Sequence, residues 1–322
     1  MITRNEKEYL VGTADYNTNF WNHMRGNPAA KDKIHDGRDT TTGGFDLPQA
    51  SENKLAEAIV RESIFRKIAT TVDALGGASR IYAKDTDDVA AWVPEGEEIP
   101  IRDGMDDFEQ YPVDVHKLSV FVKLDDDFIH DATFNIEDYL TGRLALNFAR
   151  AEDAAFVSGD GKAMPSGLCT PGAGANMAFA TDNITFDDVV RLFFSVDPAY
   201  RDHGTWMMND STACTIRTMK DVNGVYLWNE DTQSILGKPV AICNAMPDIE
   251  SGSMPIVFGD FRYYWIIRRN KPNIRQMKEL FITKNQVGYL ANEFLDGKLI
   301  RREAICGIGI NSTDPDDLSA NE

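Results

Sequence analysis

Apolar residues recur at helical spacing between residues 136 and 155. The positions that repeat are Ile136, Tyr139, Leu140, Leu144, Phe148, Ala151 and Ala155. Residues at this spacing share one face of a helix, which is buried against another layer of the protein. Asn135 belongs to the residue types that cap helix N-termini, and Gly159 is suited to end a helix. The pattern predicts a long amphipathic helix that packs against a sheet.

A strand-like alternation of side chains precedes this helix. The turn-forming run 102–107 separates strand-like residues before it from a second strand-like segment at 108–122. Together they predict a β-hairpin over Trp92–Val122. The first part of the hairpin has too few apolar residues to bury itself, and a long ribbon of this kind is marginally stable alone. We therefore expect it to be held by contact with another surface.

Beyond the long helix, strands alternate with helices from about residue 183 to residue 271. This alternation predicts a compact α/β unit. Within it, the apolar runs 255–258 and 263–267 predict a hairpin. Strands over 286–310 are expected to return to the first unit and close its sheet. Residues 314–322 form a polar tail.

Residues 1–42 are polar and are interrupted by glycine and proline. This composition predicts an arm without a core of its own. Phe20 and Trp21 are adjacent aromatic residues in the arm, and such residues need a partner surface. We expect them to anchor the arm on that surface. After the arm, Ser51 is the predicted N-cap of a helix that runs through Lys67.

The charge balance restricts the function. The 322 residues include 33 Lys and Arg against 51 Asp and Glu, giving a net charge of −18. So acidic a chain does not bind nucleic acid through its overall field. The sequence contains no apolar run near the roughly 18 residues that span a bilayer, and its N-terminus lacks the apolar core of a secretory signal. Four scattered cysteines predict buried thiols in a reducing compartment.

No motif in the chain predicts catalysis, a cofactor or a metal. The run 159–162 imitates a phosphate-binding loop, but its lysine follows a helix and precedes Ala163 where Ser or Thr is required. The five histidines lack metal-ligand spacing, and the acidic runs at 85–88 and 125–127 lack the glycine and glutamate of a calcium loop. No G-x-S-x-G sequence follows a strand.

Basic residues cluster in one place, at Arg268, Arg269 and Lys271, with Arg275 and Lys278 further on. In an acidic chain this cluster is suited to contact acidic residues of a neighbouring subunit, and the hairpin supplies such residues. They are Glu95, Glu97 and Glu98, beside Trp92. The alternative is a solvated strand edge guarded by charge.

An ordered set of short sequences resembles one protein family. The set consists of the segments Gly43–Pro48, Ala91–Gly96, Asn135–Leu140, Ala151–Phe156, Gly159–Gly161, Pro165–Gly167, Trp206–Asn209, Leu236–Val240 and Gly259–Phe261. Each is unspecific alone. Together, over about residues 20–310, they resemble the tailed-phage (Caudovirales-type) major capsid proteins with the Hong Kong ninety-seven fold.

The resemblance implies an α+β fold with an N-terminal arm, an extended β-hairpin loop, a peripheral domain with a long spine helix, and an α/β axial domain. The expected ranges are 1–45 for the arm, 46–76 for the start of the peripheral domain, 77–122 for the extended loop, 123–180 for the peripheral domain with the spine helix, 181–272 for the axial domain, and 273–322 for the peripheral return and polar tail.

The resemblance also implies the function. Such a chain assembles with itself into pentamers and hexamers of an icosahedral phage or prophage head, which encloses double-stranded DNA without sequence-specific binding. A scaffolding protein, a maturation protease and a portal are the implied partners. Assembly takes place in the cytoplasm of the bacterial host, without a membrane. The implied subunit contacts involve the arm and the hairpin.

Some members of the family join subunits through a lysine in the extended loop and an asparagine in the peripheral domain. Gly96 and Gly297 stand at the matching positions here, so we expect no covalent crosslinking.

Three other interpretations remain open. An encapsulin, a bacterial compartment shell with the same fold, begins closer to its folded body than this chain does. A soluble two-domain α/β enzyme predicts a deep pocket with convergent polar groups. A generic interaction module predicts a stable monomer.

Overall fold

The computed structural model describes residues 4–37, 44–74, 80–84, 108–131, 133–220, 224–226, 228–229 and 232–311. Within these ranges the helices are α1 Arg4–Val11, α2 Ala14–Met24, α3 Pro28–Lys33, α4 Gln49–Glu62, α5 Phe65–Ile68, α6 Asp126–Ile129, α7 Ile136–Ser158, α8 Phe186–Ser195, α9 Pro198–Arg201 and α10 Asp210–Arg217. The strands are β1 Phe45–Asp46, β2 Thr70–Asp73, β3 Arg80–Lys84, β4 Phe108–Pro112, β5 His116–Asp125, β6 Asn176–Thr181, β7 Thr205–Met208, β8 Trp228–Asn229, β9 Ser234–Ile235, β10 Lys238–Ile242, β11 Ile256–Gly259, β12 Tyr264–Met277, β13 Gln286–Leu299 and β14 Ile305–Ile310.

One sheet, which we call the five-strand sheet, is built around two long strands. β12 and β13 pair antiparallel, from Tyr264 opposite Leu299 to Met277 opposite Gly288. β1 pairs with β12 on one side, β5 pairs with β13 on the other, and β2 runs parallel to β12. On β5 the side chains alternate between the core and solvent, as the sequence predicts.

Helix α7 packs against this sheet and confirms the predicted spine helix. The Asn135 side chain accepts hydrogen bonds from the backbone N–H groups of Glu137 and Asp138, which caps the first turn. The apolar face, including Leu140, Leu144 and Phe148, is buried. Gly159 ends the helix in an extended conformation, and a Cβ there would collide with the carbonyl of Pro165. Glycine is needed at this position for close approach and not for left-handed backbone.

The N-terminal segment shares the core of the same unit. Six of its apolar side chains are buried there together with the spine helix: Val11, Tyr16, Phe20, Trp21, Met24 and Ile34. Tyr16 donates a hydrogen bond to the carbonyl of Asp46 at 2.8 Å. Residues 4–37 therefore share the core of the five-strand unit and have no separate core of their own. Apolar side chains in a polar segment indicate that some surface buries them, but they do not identify that surface.

Helix α4 differs from the predicted helix at both ends. It begins after Pro48, and it ends at Ser63 before the short helix α5. Ser51 is not its N-cap, because the Ser51 hydroxyl is buried and accepts the indole N–H of Trp21 at 3.0 Å.

A second sheet, the seven-strand sheet, has the order β6-β14-β11-β7-β10-β9-β8 within the described residues. Its core is apolar and includes Trp206, Phe258, Ile216 and Leu192. Helix α8 begins with a capping box between Thr185 and Asp188, as the sequence suggests.

Two strand pairings differ from the prediction. β11 pairs with β7 and β14, whereas β12 joins the five-strand sheet, so the predicted hairpin of 255–258 with 263–267 is wrong. β14 lies inside the seven-strand sheet and does not close the other sheet. Alternation and apolar content predict that a segment is a strand, but they do not specify its partner. After α7 the chain therefore crosses between the two units three times.

The predicted hairpin is described only at its base. β3 and β4 pair antiparallel, with Arg80 opposite Pro112. Tyr111 donates a hydrogen bond to the carbonyl of Ile300 at 2.9 Å, which holds the ribbon to the body. The single strand predicted at 108–122 is two strands, β4 in the ribbon and β5 in the five-strand sheet.

Candidate intersubunit surfaces

The two aromatics of the N-terminal segment are covered by their own chain. Phe20 is fully buried on α2, and Trp21 is 7% exposed. Their rings pack edge to face with centroids 5.0 Å apart. The partner surface that the sequence requires is therefore the core of the same subunit. This corrects the expectation that Phe20 and Trp21 contact a neighbour.

The basic cluster on β12 is engaged within the chain. Arg268 lies 2.7 Å from the Asp73 carboxylate, and Lys271 lies 3.2 Å from Glu52. Arg269 lies between them and is not free either. Carboxylates on β2 and α4 therefore pair with Arg268 and Lys271 within the chain, and the contact of this cluster with a neighbouring subunit stays a prediction.

The acidic residues of that predicted contact lie outside the described residues. They are Glu95, Glu97 and Glu98, and their neighbours Trp92 and Gly96 lie outside the described residues too. The described ribbon base carries an exposed Tyr82.

Sequence reasoning missed a buried ion cluster beneath α4 and α5. The Arg66 guanidinium donates two hydrogen bonds to the Glu152 carboxylate, at 2.9 and 2.8 Å, and lies 3.5 Å from Glu293. All three side chains are nearly inaccessible to solvent. Beside them, Asp153 accepts hydrogen bonds from the Ser63 hydroxyl and from the backbone N–H groups that begin α5. These contacts fix the chain reversal between α4 and β2 on the spine helix.

The cluster contains one more carboxyl group than cation. Burial, and then the neighbouring Glu152, raise the pKa of Glu293 to about 7, although Arg66 and Arg268 oppose the shift. By contrast, the hydrogen bonds from Arg268 lower the pKa of Asp73. A cavity of about 220 Å³ adjoins Glu52 and Glu293. One buried oxygen of Glu293 has no hydrogen-bond partner, and the buried oxygen of Glu52 forms only the ion pair with Lys271. Glu293 therefore keeps its proton to a higher pH than an ordinary carboxyl group does.

In the turn after the spine helix, an aspartate side chain accepts hydrogen bonds from the backbone N–H groups. One carboxylate oxygen of Asp160 accepts hydrogen bonds from the backbone N–H groups of Lys162, Ala163 and Met164, at 2.9 to 3.1 Å. These bonds lower the pKa of Asp160. The N–H groups that a phosphate would need are therefore occupied by a side chain.

An apolar edge is exposed beside β5, the outer strand of the described five-strand sheet. Phe121 packs on Phe281 with ring centroids 5.6 Å apart, and Leu280 and Ile282 beside it are more than half exposed. An open strand edge next to apolar side chains is suited to contact between copies of a chain.

Among the described residues, no three His, Cys, Asp or Glu side chains are grouped as a metal site. No helix in the described ranges is long and apolar enough to cross a membrane. Of the four thiols, Cys214 is exposed, which corrects the prediction that the cysteines are buried.

Comparison with solved structures identifies the fold. The capsid of an empty GTA particle matches with a TM-score of 0.63 and 28% identity, over 78% of this chain and 90% of that one. The capsid of the native GTA particle gives 0.60 and 28%, over 79% and 90%. Gordonia phage Cozz gives 0.55 at 15% identity, over 78% and 87%, which bears on the fold alone. No curated protein matches.

These likenesses confirm the predicted α+β capsid fold. The chain belongs to the phage capsid family, whose model matches residues 43–309. It is a structural protein of the virion capsid and not an enzyme.

Proposed function

We propose that this chain is the major capsid protein of a phage or prophage head. Copies assemble through pentamers and hexamers into an icosahedral shell that encloses double-stranded DNA. The observation that most supports this is the match to a capsid chain of a GTA particle, which covers 90% of that capsid chain. The acidic chain, with a net charge of −18, is suited to enclose DNA without binding it tightly.

In this proposal the five-strand unit is the peripheral domain and the seven-strand unit is the axial domain around the capsomer centre. The peripheral domain would consist of α4, α5, α7 and the five-strand sheet. The axial domain would include β6 to β11 and β14. The ribbon of β3 and β4, with the residues it carries, forms the extended loop that reaches a neighbour. Many small contacts of this kind add up through multivalency.

The partners follow from the same proposal. A scaffolding protein, a maturation protease and a portal would act with this chain, and assembly would take place in the host cytoplasm. Four free cysteines fit a reducing compartment.

The proposed shell is held without covalent crosslinks. At Gly297 a Cβ would lie 2.6 Å from the Tyr264 hydroxyl oxygen and 2.9 Å from the Phe156 ring, so an asparagine side chain does not fit. High-mass bands in denaturing gels of assembled particles would contradict this point.

Light scattering after size-exclusion chromatography, followed by electron microscopy of the purified chain, tests the proposal. Rings, capsomers or closed shells are the expected result. A strict monomer or dimer at high concentration, also in the presence of crowding agents, would overturn it. If shells purified from cells contain an enzyme cargo and no DNA, the chain is an encapsulin instead.

A further inference from the structure

A basic pocket lies between the N-terminal helices and the far end of β12. Its volume is about 630 Å³, and it is open to solvent. Three cationic side chains, Lys31, Arg275 and Lys278, line it together with His23 and a single carboxylate, Glu279. The pocket is therefore locally positive, although the chain has a net charge of −18.

The cations of this pocket are not neutralised by the subunit itself. Lys31, Arg275 and Lys278 are exposed, and none of them forms an ion pair with another described residue. By contrast, Arg268 and Lys271, earlier on the same strand, are paired with carboxylates. The charges at the far end of β12 are therefore available to an anion from outside the subunit.

The two lysines converge although they come from different elements. The Lys278 ammonium donates a hydrogen bond to the carbonyl of Gly26, at 3.3 Å. Gly26 has a φ of +99°, and a Cβ there would lie only 2.7 Å from the Lys278 Nζ. Burial lowers the pKa of His23 most, and the charges of Lys31 and Lys278 lower it further. Both ammonium groups therefore act on the same small region.

Apolar side chains form part of the wall behind these charges. Phe45 is 6% exposed and Met277 is half-buried. A cleft that combines charges of one sign with low-dielectric walls focuses its field on counter-ions. Leu280 at the rim is 62% exposed and can contact the apolar carbons of a sugar. The pocket is therefore suited to a chain of phosphates joined by sugars.

We propose that this pocket binds the phosphate backbone of the double-stranded DNA that the shell encloses. The inference rests on the proposed function and names a place of contact with the DNA. Lysine and arginine hold phosphates without reading the base sequence, so the contact is independent of sequence. The acidic remainder of the chain keeps it weak and local. Weak binding is sufficient where DNA is enclosed at high concentration.

A salt titration tests the pocket directly. The unassembled full chain is added to a short fluorescein-labelled DNA duplex, and anisotropy is followed at several salt concentrations. Three phosphate contacts predict a slope of about −2.7 for log K against log salt, which is about a 40-fold loss of affinity for a fourfold rise in salt. Removing one contact in K278Q should reduce the slope to about −1.8. No binding at low salt would overturn the proposal.

Charge reversal should abolish the contact. The variant K31E/R275E/K278E should bind the duplex at least about tenfold more weakly than the wild type. The neutral variant K31Q/R275Q/K278Q should lie between the two, and it carries the test if charge reversal disturbs folding, which circular dichroism checks. Unchanged binding in the folded variants would overturn the proposal. Displacement of the duplex by polyglutamate as effective as by unlabelled DNA would overturn it too, because the site would then suit an acidic peptide.

A matched control separates the pocket from the total charge. K67E/K117E/K162E changes three exposed lysines that do not line the pocket, and its net charge equals that of the charge-reversed pocket variant. It should bind the duplex within about twofold of the wild type, because the contact is local. Equal weakening in the control would overturn the proposal.

Lysine acetylation locates the contact on the unassembled chain. With the duplex bound, Lys31 and Lys278 should be acetylated more slowly than in the free chain, whereas Lys67 and Lys162 should react equally in both. Mass spectrometry of digested protein measures this, and protection of the second pair without the first would overturn the inference. If the wild-type chain forms no particles, the proposed function fails, whereas the titration and the acetylation still test the pocket. If particles form but the subunit does not bind the duplex, the inference alone fails.

Discussion

Both units have an apolar core, but only the five-strand unit adds a cluster of buried ions to it, within the described residues. The core of the seven-strand unit is apolar, with the rings of Trp206 and Phe258 tilted by 33° and their centroids 4.4 Å apart. The five-strand unit buries carboxylates and a guanidinium between α4, α5 and the spine helix. Apolar burial is insensitive to pH and tolerant of geometry, whereas buried ions are costly unless each is matched. The comparison indicates that the five-strand unit is the pH-sensitive and geometrically exacting half.

The largest expected effects come from breaking each core in turn. Replacing Phe258 with Ala should lower the free energy of unfolding by about 3–5 kcal/mol, because it leaves a cavity against Trp206. No titratable group is removed, so the loss should be equal at pH 5 and pH 8. Urea unfolding at both pH values measures it, and a loss that changes by more than about 1 kcal/mol between them would contradict the comparison.

Replacing Arg66 with Met should cost about 3–5 kcal/mol at pH 8, because Glu152 and Glu293 would remain buried without their cation. At pH 5 the loss should be smaller, since the carboxyl groups can then take up protons. The matched control is Arg61→Met, whose side chain is 75% exposed and whose effect should stay below about 1 kcal/mol. An equal loss at both pH values would show that charge is not the cause.

Glu293 sharpens the comparison further. Its folded pKa of about 7 lies above the ordinary value of 4.5, so the folded state binds the proton more tightly. Its contribution to stability is therefore fully present below pH 4.5 and is lost as the pH rises to 7. The variant Glu293→Gln should remove this dependence, a difference of about 3 kcal/mol between the two limits. The free energy of unfolding of wild type and variant is measured at several pH values across this range. The same pH dependence in both proteins would refute the assignment.

The smallest expected effect concerns the start of the spine helix. Asn135→Ala should cost about 1 kcal/mol, since two backbone N–H groups lose their acceptor. Asn135→Ser should restore most of the loss, because serine also caps helices. Thermal unfolding checks both, and equal melting temperatures for Ala and Ser would contradict a capping role.

Local signals predict the spine helix and not the connections between strands. Asn135, the apolar spacing and Gly159 lie within one continuous segment, so the sequence contains all that the helix requires. The partners of β12 and β14 depend on strands that are distant along the chain. Nothing in their own residues distinguishes one sheet from the other.

The same reasoning explains which parts of the candidate surfaces could be predicted. Arg268 and Lys271 stand out because they are close in sequence, but their partners Asp73 and Glu52 come from other segments of the chain. Glu152 interrupts an apolar face, which signals a buried charge. Its partners Arg66 and Glu293 come from other segments and give no local sign of the pairing.

The position of β14 has a consequence for biosynthesis. In the seven-strand sheet, β6 pairs with β14, which is synthesised more than a hundred residues later. While the chain is still on the ribosome, β6 therefore waits without this neighbour and the sheet is incomplete. A subunit with its final shape exists only after residue 310 has emerged, so translation itself delays the moment at which nascent chains can join one another.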